Sequence, residues 1–262
     1  MADIQNTTTK RLTGKRLSAV AALVTPGLVV ADIGCDHGWV PIHLVGTGIS
    51  PKAFAMDVRK GPLSIAEEHI RQAGLENQIE TRLSDGLTAL AAKEAESIII
   101  AGMGGPLIRK ILLEGEGTAK SAGELIISPH SEWKECREYL LENGYEILTE
   151  RMVEEEGKYY LILKLRPGDV KPDYGADIGD RELALYYGAE LLLKKDPVLR
   201  AYLLKERATL EALLIRIGEA DSSGNEGEGT HGAKRCQEIR KELLINEKAL
   251  KMLGEEANYE VQ

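Results

Sequence analysis

The sequence predicts an α/β fold, a doubly wound sheet of seven strands followed by a pair of C-terminal helices. Two observations carry this expectation. From residue 17 to about 165, short apolar runs alternate with amphipathic stretches of helical period, the pattern of a parallel sheet with helices on its faces. Beyond 182, apolar residues recur at sevenfold spacing on two longer stretches, as in a helical hairpin.

Strands are expected over 29–33, 52–57, 79–83, 97–101, 124–128, 146–152 and 159–165, with helices over 16–24, 40–45, 62–73, 105–113 and 133–142. Gly74 and Gly144 each stand where a helix should stop. The last two strands have no helix between them, so they read as a hairpin adding one antiparallel edge strand. Residues 1–165 then form the first domain, and the Pro-, Gly- and Asp-rich stretch 166–182 a linker. Residues 183–262 form a helical hairpin, with helices at about 182–218 and 233–253 around a polar, glycine-rich loop, 219–232. Leu203, Leu210 and Ile217 on the first helix, with Ile239, Leu243 and Leu250 on the second, fit an antiparallel coiled coil. Ordinary packing of two helices is the alternative.

Composition is that of a globular chain, 43% apolar and 29% charged. No apolar run approaches the ~18 residues of a membrane span, and the N-terminal stretch lacks a signal-type apolar core. Cys35, Cys136 and Cys236 lie far apart and form no CxxC, so free thiols in a reducing cytoplasm are expected, without disulfides or zinc. His37, His43, His69, His130 and His231 show no ligand spacing, and no metal is expected. The net charge of −9 argues as a sum against nucleic acid. Its distribution is uneven: Lys10, Arg11, Lys15 and Arg16 cluster near the N-terminus, and Lys and Arg exceed Asp and Glu on the C-terminal helices.

The chemistry concentrates at strand ends, where an open α/β sheet has its ligand crevice. The first strand ends in Asp32-Ile33-Gly34-Cys35-Asp36-His37-Gly38, a GxDxG turn where a dinucleotide enzyme would show GxGxxG. Acidic residues there suit a cation, such as the sulfonium and ammonium of S-adenosylmethionine; alternatively Asp36 only caps the next helix. Asp57, followed by Val58, closes the second strand, where a carboxylate can accept from both ribose hydroxyls of a nucleoside cofactor. Ser84-Asp85-Gly86 closes the third, with Asp85 placed to meet an adenine amino group. The fourth runs into Gly102-Met103-Gly104-Gly105, which either opens the backbone beside a reacting centre or is simply a turn needing positive φ. The fifth ends in Ser128-Pro129-His130, where His130 is a candidate base contact or a plain loop residue.

These residues resemble a known family. The segment KRLSAVAALVTPGLVVADIGCDHGWVPIHL is similar to the opening of the bacterial tRNA (adenine-22 N1)-methyltransferases, through Asp32, Gly34, Asp36, His37, Trp39 and Pro41. Lys60-Gly61-Pro62, Asp85-Gly86-Leu87, Gly102-Met103-Gly104-Gly105 and the late EEEGKYYLIL segment extend the likeness over roughly residues 15–165. The resemblance implies a Rossmann-like methyltransferase domain with a C-terminal coiled-coil hairpin, S-adenosylmethionine as cofactor and tRNA as partner. It implies a cofactor site of Asp32, Gly34, Asp36, His37, Asp57, Val58, Ser84, Asp85, Gly86, Gly102, Met103 and Gly104. On the substrate side stand Arg16, Gly104, Gly105 and His130, although Arg16 could instead order the cofactor pocket. Asp36 is the candidate catalytic group, stabilising charge near N6 of the methylated adenine. Trp39, Met103 and Tyr160 could stack on an exposed base or be core residues. Two rival readings stay open: a same-fold methyltransferase acting on a small molecule or protein, and a non-catalytic RNA-binding relative.

Overall fold

The computed structural model describes residues 12, 14–168, 173–222 and 229–254. The chain divides into two compact units, Met1–Asp173 and Tyr174–Gln262.

The first unit opens with α1 (Lys15–Ala21) and β1 (Val30–Ile33), then α2 (Trp39–Gly46), β2 (Ala53–Asp57), α3 (Lys60–Ala73) and β3 (Ile79–Leu83). It continues through β4 (Ser97–Met103), α4 (Gly105–Glu114), α5 (Glu116–Ser121), β5 (Glu124–Pro129), α6 (Trp133–Glu142), β6 (Tyr145–Glu155) and β7 (Lys158–Pro167). The seven strands form one sheet in the order β3-β2-β1-β4-β5-β7-β6. β1 pairs in parallel with both β2 and β4, so the chain winds outward in both directions from β1. Ligands of such sheets bind where the winding reverses, outside the strands' carboxyl ends.

The central strands are apolar on both faces, as burial between two helical layers demands. Ile98, Ile99, Ile100, Leu125, Ile126 and Ile127 are all inaccessible to solvent. The expected antiparallel edge strand requires correction. The antiparallel strand is β7, and it lies inside the sheet, paired with β5 on one side and β6 on the other. The edge belongs to β6. Burial explains the choice: Leu161, Ile162, Leu163 and Leu165 of β7 are buried, whereas β6 alternates and keeps a half-exposed face.

One ion pair joins the outer layer to this edge. Arg137 of α6 and Glu150 of β6 are both fully buried, with Nε donating to Oε1 at 2.8 Å.

The second unit contains a short 3-10 turn (Ala176–Ile178), α7 (Arg181–Tyr187), α8 (Ala189–Leu193), α9 (Pro197–Ser222) and α10 (Gly229–Met252). The single helix expected over 182–218 is thus three. The breaks fall at Gly188, with φ 91°, and at Lys195 and Asp196 before Pro197, whose ring disfavours helix at the preceding residue. The stretch 219–232 expected as loop is helical at both ends; its centre, 223–228, lies outside the described residues. α9 and α10 pack against each other, and Leu199, Leu203, Leu210, Ile239, Ile245 and Leu250 on them are buried. A buried polar knot crosses this core: Asn246 donates to the Leu203 carbonyl and to Glu206, which also accepts from the hydroxyls of Tyr187 and Tyr202.

Candidate active site

A cleft of about 490 Å³ opens at the carboxyl ends of β1, β2, β3 and β4. Its wall includes Asp32, Gly34, Asp36, His37, Asp57, Val58, Ser84, Asp85, Gly86, Gly102 and Met103, together with Arg16 and His130. Four strand tips separated by long stretches of sequence therefore share one cavity. Gly104 and Gly105 do not line it. β4 runs through Met103, with a register shift between Ala101 and Met103, and Gly105 already begins α4. A Cβ on Gly105 would stand 2.5 Å from the Ser131 carbonyl oxygen, so this glycine serves close packing.

The turn after β1 is built from backbone. The amides of Gly34 and Cys35 both donate to the Met56 carbonyl of β2. Gly34 has φ 76°, and a Cβ there would collide with Met103 Cε. Asp36 also sits at positive φ, 51°. It does not cap the next helix, because the N-cap of α2 is Gly38 and receives no side-chain bond. Its carboxylate is instead 59% exposed, 3.5 Å from His37 Nε2 and 3.9 Å from Arg59 Nη2.

Asp57 is 4% exposed and anchored by backbone. Its Oδ2 accepts from the Asp36 amide at 3.3 Å and its Oδ1 from the Arg59 amide at 2.8 Å. Each carboxylate oxygen retains a lone pair for a ligand. Val58 beside it presents an exposed apolar surface to the cleft. Ser84 is buried and locks its own turn, donating to the Gly86 carbonyl and accepting from the Ala89 amide.

Asp32 lies deepest. Burial raises its carboxyl to about 7, opposed by the nearby Arg16 guanidinium and reinforced by the negative charge of Asp57. Burial also pushes the Cys35 thiol far up, so it is no nucleophile at neutral pH. His130 donates its amide to the Met103 carbonyl, and its ring meets that of Tyr160 edge-on at 5.5 Å. Burial, Arg16 and Lys158 hold its imidazole below the usual value, which keeps it neutral. Of the aromatic candidates, Trp39 lines the cleft but stacks on His69 at 4.1 Å, and Tyr160 lies beneath Arg16.

Sequence reasoning missed Arg59, Leu107 and Ile111, which also line the cavity. Arg59 directly follows Asp57-Val58, so strand-end position could have found it; the two α4 residues face the cleft only because α4 docks there.

Lys10 and Arg11 of the N-terminal basic cluster lie outside the described residues. The basic excess of the C-terminal helices is partly matched locally: Lys194 pairs with Glu190, Lys241 with Glu182, Lys248 with Asp180 and Arg235 with Glu238. Among the described residues no group of three or more His, Cys, Asp or Glu could hold a metal ion, and no helix is long and apolar enough to cross a membrane.

Residues 13–163 match a family described as a methyltransferase domain. The tRNA (adenine(22)-N(1))-methyltransferase of Bacillus subtilis (strain 168) is 32% identical over 231 residues, covering 88% of this chain and 96% of that protein. The crystal structure of the B. subtilis m1A22 tRNA methyltransferase TrmK matches with a TM-score of 0.80 at 28% identity, over 91% of this chain and 99% of that one. The structure of M. capricolum TrmK in complex with the cofactor product S-adenosyl-homocysteine matches with a TM-score of 0.76 at 25% identity, over 93% and 100% of the two chains.

Proposed function

The chain belongs to the family of the tRNA (adenine(22)-N(1))-methyltransferases, and from that premise we propose that it methylates N1 of an adenosine in tRNA, using S-adenosylmethionine. The observation that carries this reading is the shared cleft of Asp32, Asp36, Asp57 and Asp85 beside Gly34 and Gly102.

The residues fit the cofactor. The cleft volume lies within the roughly 300–1,000 Å³ of small-molecule sites. Asp57 would accept the ribose hydroxyls, with Val58 against the adenine face and Asp85 near its amino group. Asp36 and Asp57 supply negative potential for a ligand carrying sulfonium and ammonium charges. S-adenosylmethionine supplies an electrophilic methyl group.

Adenine N1 holds its lone pair in the ring plane, so no general base is needed to create the nucleophile. The N1–CH₃ bond forms as the S–CH₃ bond breaks, and the positive charge passes to the adenine ring. The protein's task is therefore alignment and electrostatics. Gly102 would leave the tip of β4 open to the incoming base. The Asp36 carboxylate, exposed at the cleft wall, would stabilise the charge that develops over N1 and N6. N1 lies on the pairing edge, so the adenosine must be unpaired before transfer, at a cost of a few kcal/mol. His130 and Tyr160 form an aromatic margin against which that base would rest. The reducing cytoplasm, where tRNA matures, is the compartment this reading implies.

The test is methyl transfer from labelled S-adenosylmethionine to unmodified tRNA transcripts. Incorporation is expected into a transcript with adenosine at position 22 and not into one with guanosine there. Turnover on protein or small molecules with none on tRNA would favour the rival methyltransferase reading.

A further inference from the structure

Resting on the reading of Asp36 as the group that stabilises charge on the adenine, we propose that His69 is a positioning residue for methyl transfer: it grips the turn that carries Asp36. His69 stands on α3 and does not line the cleft. Its Nδ1 lies 2.9 Å from the carbonyl oxygen of His37, the residue after Asp36. A carbonyl can only accept, so Nδ1 donates.

The sequence leaves that carbonyl in need of a donor. α2 begins at Trp39 with Gly38 as its N-cap, so the amide of Ile42 goes to the Gly38 carbonyl. The residue four places beyond His37 is Pro41, which has no amide hydrogen to offer. A donor has to come from another element, and α3 brings one. Ala66 and His69, three apart on α3, share a face of that helix. Ala66 is buried, and a Cβ on Gly38 would stand 3.1 Å from its Cβ, so the helix lies directly against the turn. Trp39 stacks on the His69 ring at 4.1 Å with 23° between the planes, which sets the plane in which Nδ1 points.

The bond completes a clamp. Asp57 Oδ2 holds the Asp36 amide at 3.3 Å, and His69 holds the His37 carbonyl. Between these two anchors lies Asp36, whose φ of 51° is a conformation that a non-glycine residue keeps when its surroundings impose it. The Asp36 carboxylate itself has only longer contacts, 3.5 Å to His37 Nε2 and 3.9 Å to Arg59 Nη2. Its direction into the cleft is therefore set by the backbone of the turn. Freeing the His37 carbonyl lets the peptide rotate and carries the carboxylate away from the reacting base.

Single-turnover methylation of tRNA by the full chain at saturating S-adenosylmethionine tests this. His69→Phe keeps a ring on Trp39 and removes the donor. His69→Asn keeps a donor at the same number of bonds from the backbone and removes the ring. The Phe variant is expected to slow transfer roughly three- to tenfold, the range of one hydrogen bond, and the Asn variant to recover most of the rate. His69→Ala, which suits a helix, gives the same comparison should the larger ring disturb α3. In an Asp36→Asn background the loss on adding His69→Phe is expected to shrink below about twofold, because residues that act through one group are not additive. A wild-type rate in folded His69→Phe overturns the proposal. Equal losses in the Phe and Asn variants also overturn it. So does an undiminished loss in the Asp36→Asn background, which would make His69 a purely structural residue. These three outcomes leave the role of Asp36 standing. A wild-type rate for Asp36→Asn alone is distinguishable, since it removes the catalytic reading of Asp36 and this proposal together.

Discussion

The backbone N–H of Asp36 donates to Oδ2 of Asp57 across 3.3 Å, so the turn after β1 hangs from the carboxylate that ends β2. One side chain thus shapes the loop and faces the ligand. Asp57→Ala removes the acceptor for both the Asp36 and the Arg59 amides. It is expected to lower stability by about 1–3 kcal/mol and S-adenosylhomocysteine affinity by at least roughly tenfold. Thermal melting and calorimetry check the two effects separately. Unchanged affinity in a folded variant would remove Asp57 from the cofactor site.

Asp36 separates from Asp57 in the kinetics. Its carboxylate is exposed and caps nothing, so Asp36→Asn, which keeps a residue type that tolerates the left-handed φ of 51°, should leave the fold intact. At saturating cofactor, kcat for tRNA methylation is expected to fall roughly 10- to 100-fold, more than S-adenosylhomocysteine affinity falls. Single-turnover rates at saturating cofactor are the measurement. A normal rate would leave Asp36 without a catalytic role.

Asp32 predicts a pH dependence of stability. Burial raises its carboxyl from 3.8 to about 7, so the folded chain holds that proton more tightly than the unfolded chain. Between about pH 4 and pH 7 the folded state binds more protons, and the stability associated with neutral Asp32 is lost as pH rises through that window. Asp32→Asn cannot titrate. Urea melts should show the variant gaining on the wild type from about pH 4 to about pH 7; a constant difference would contradict the assignment.

The Arg137–Glu150 pair gives a prediction remote from the cleft. Both side chains are fully buried, so Glu150→Gln or Arg137→Met removes one half of a buried ion pair. Each single change is expected to cost about 3–5 kcal/mol, while joint replacement by Met and Leu comes close to neutral. Denaturant melts of the two singles and the double form the cycle that decides it.

Acidic and glycine residues at strand ends are local signals, and a strand end in a doubly wound sheet has one place to face. Asp32, Asp57, Asp85 and Gly102 were legible for that reason. Gly105 sits close against the Ser131 carbonyl, which is a tertiary fact, and neither it nor Gly104 is among the residues that line the cleft. The insertion of β7 between β5 and β6 depends on which hairpin strand meets the sheet. Its LILKL run, apolar but for Lys164 and set against the alternation of β6, held that information in compositional form. The breaks at Gly188 and Pro197 were also written locally, but the apolar spacing across them imitated one continuous helix.

The most direct test of the central claim is a crystal structure of the chain with S-adenosylhomocysteine. The ribose hydroxyls are expected on Asp57 and the sulfur between the Gly34 turn and the Gly102 tip of β4, with its open side toward His130 and Tyr160. A ligand bound elsewhere, or one in this cleft making no contact with Asp57, would contradict it.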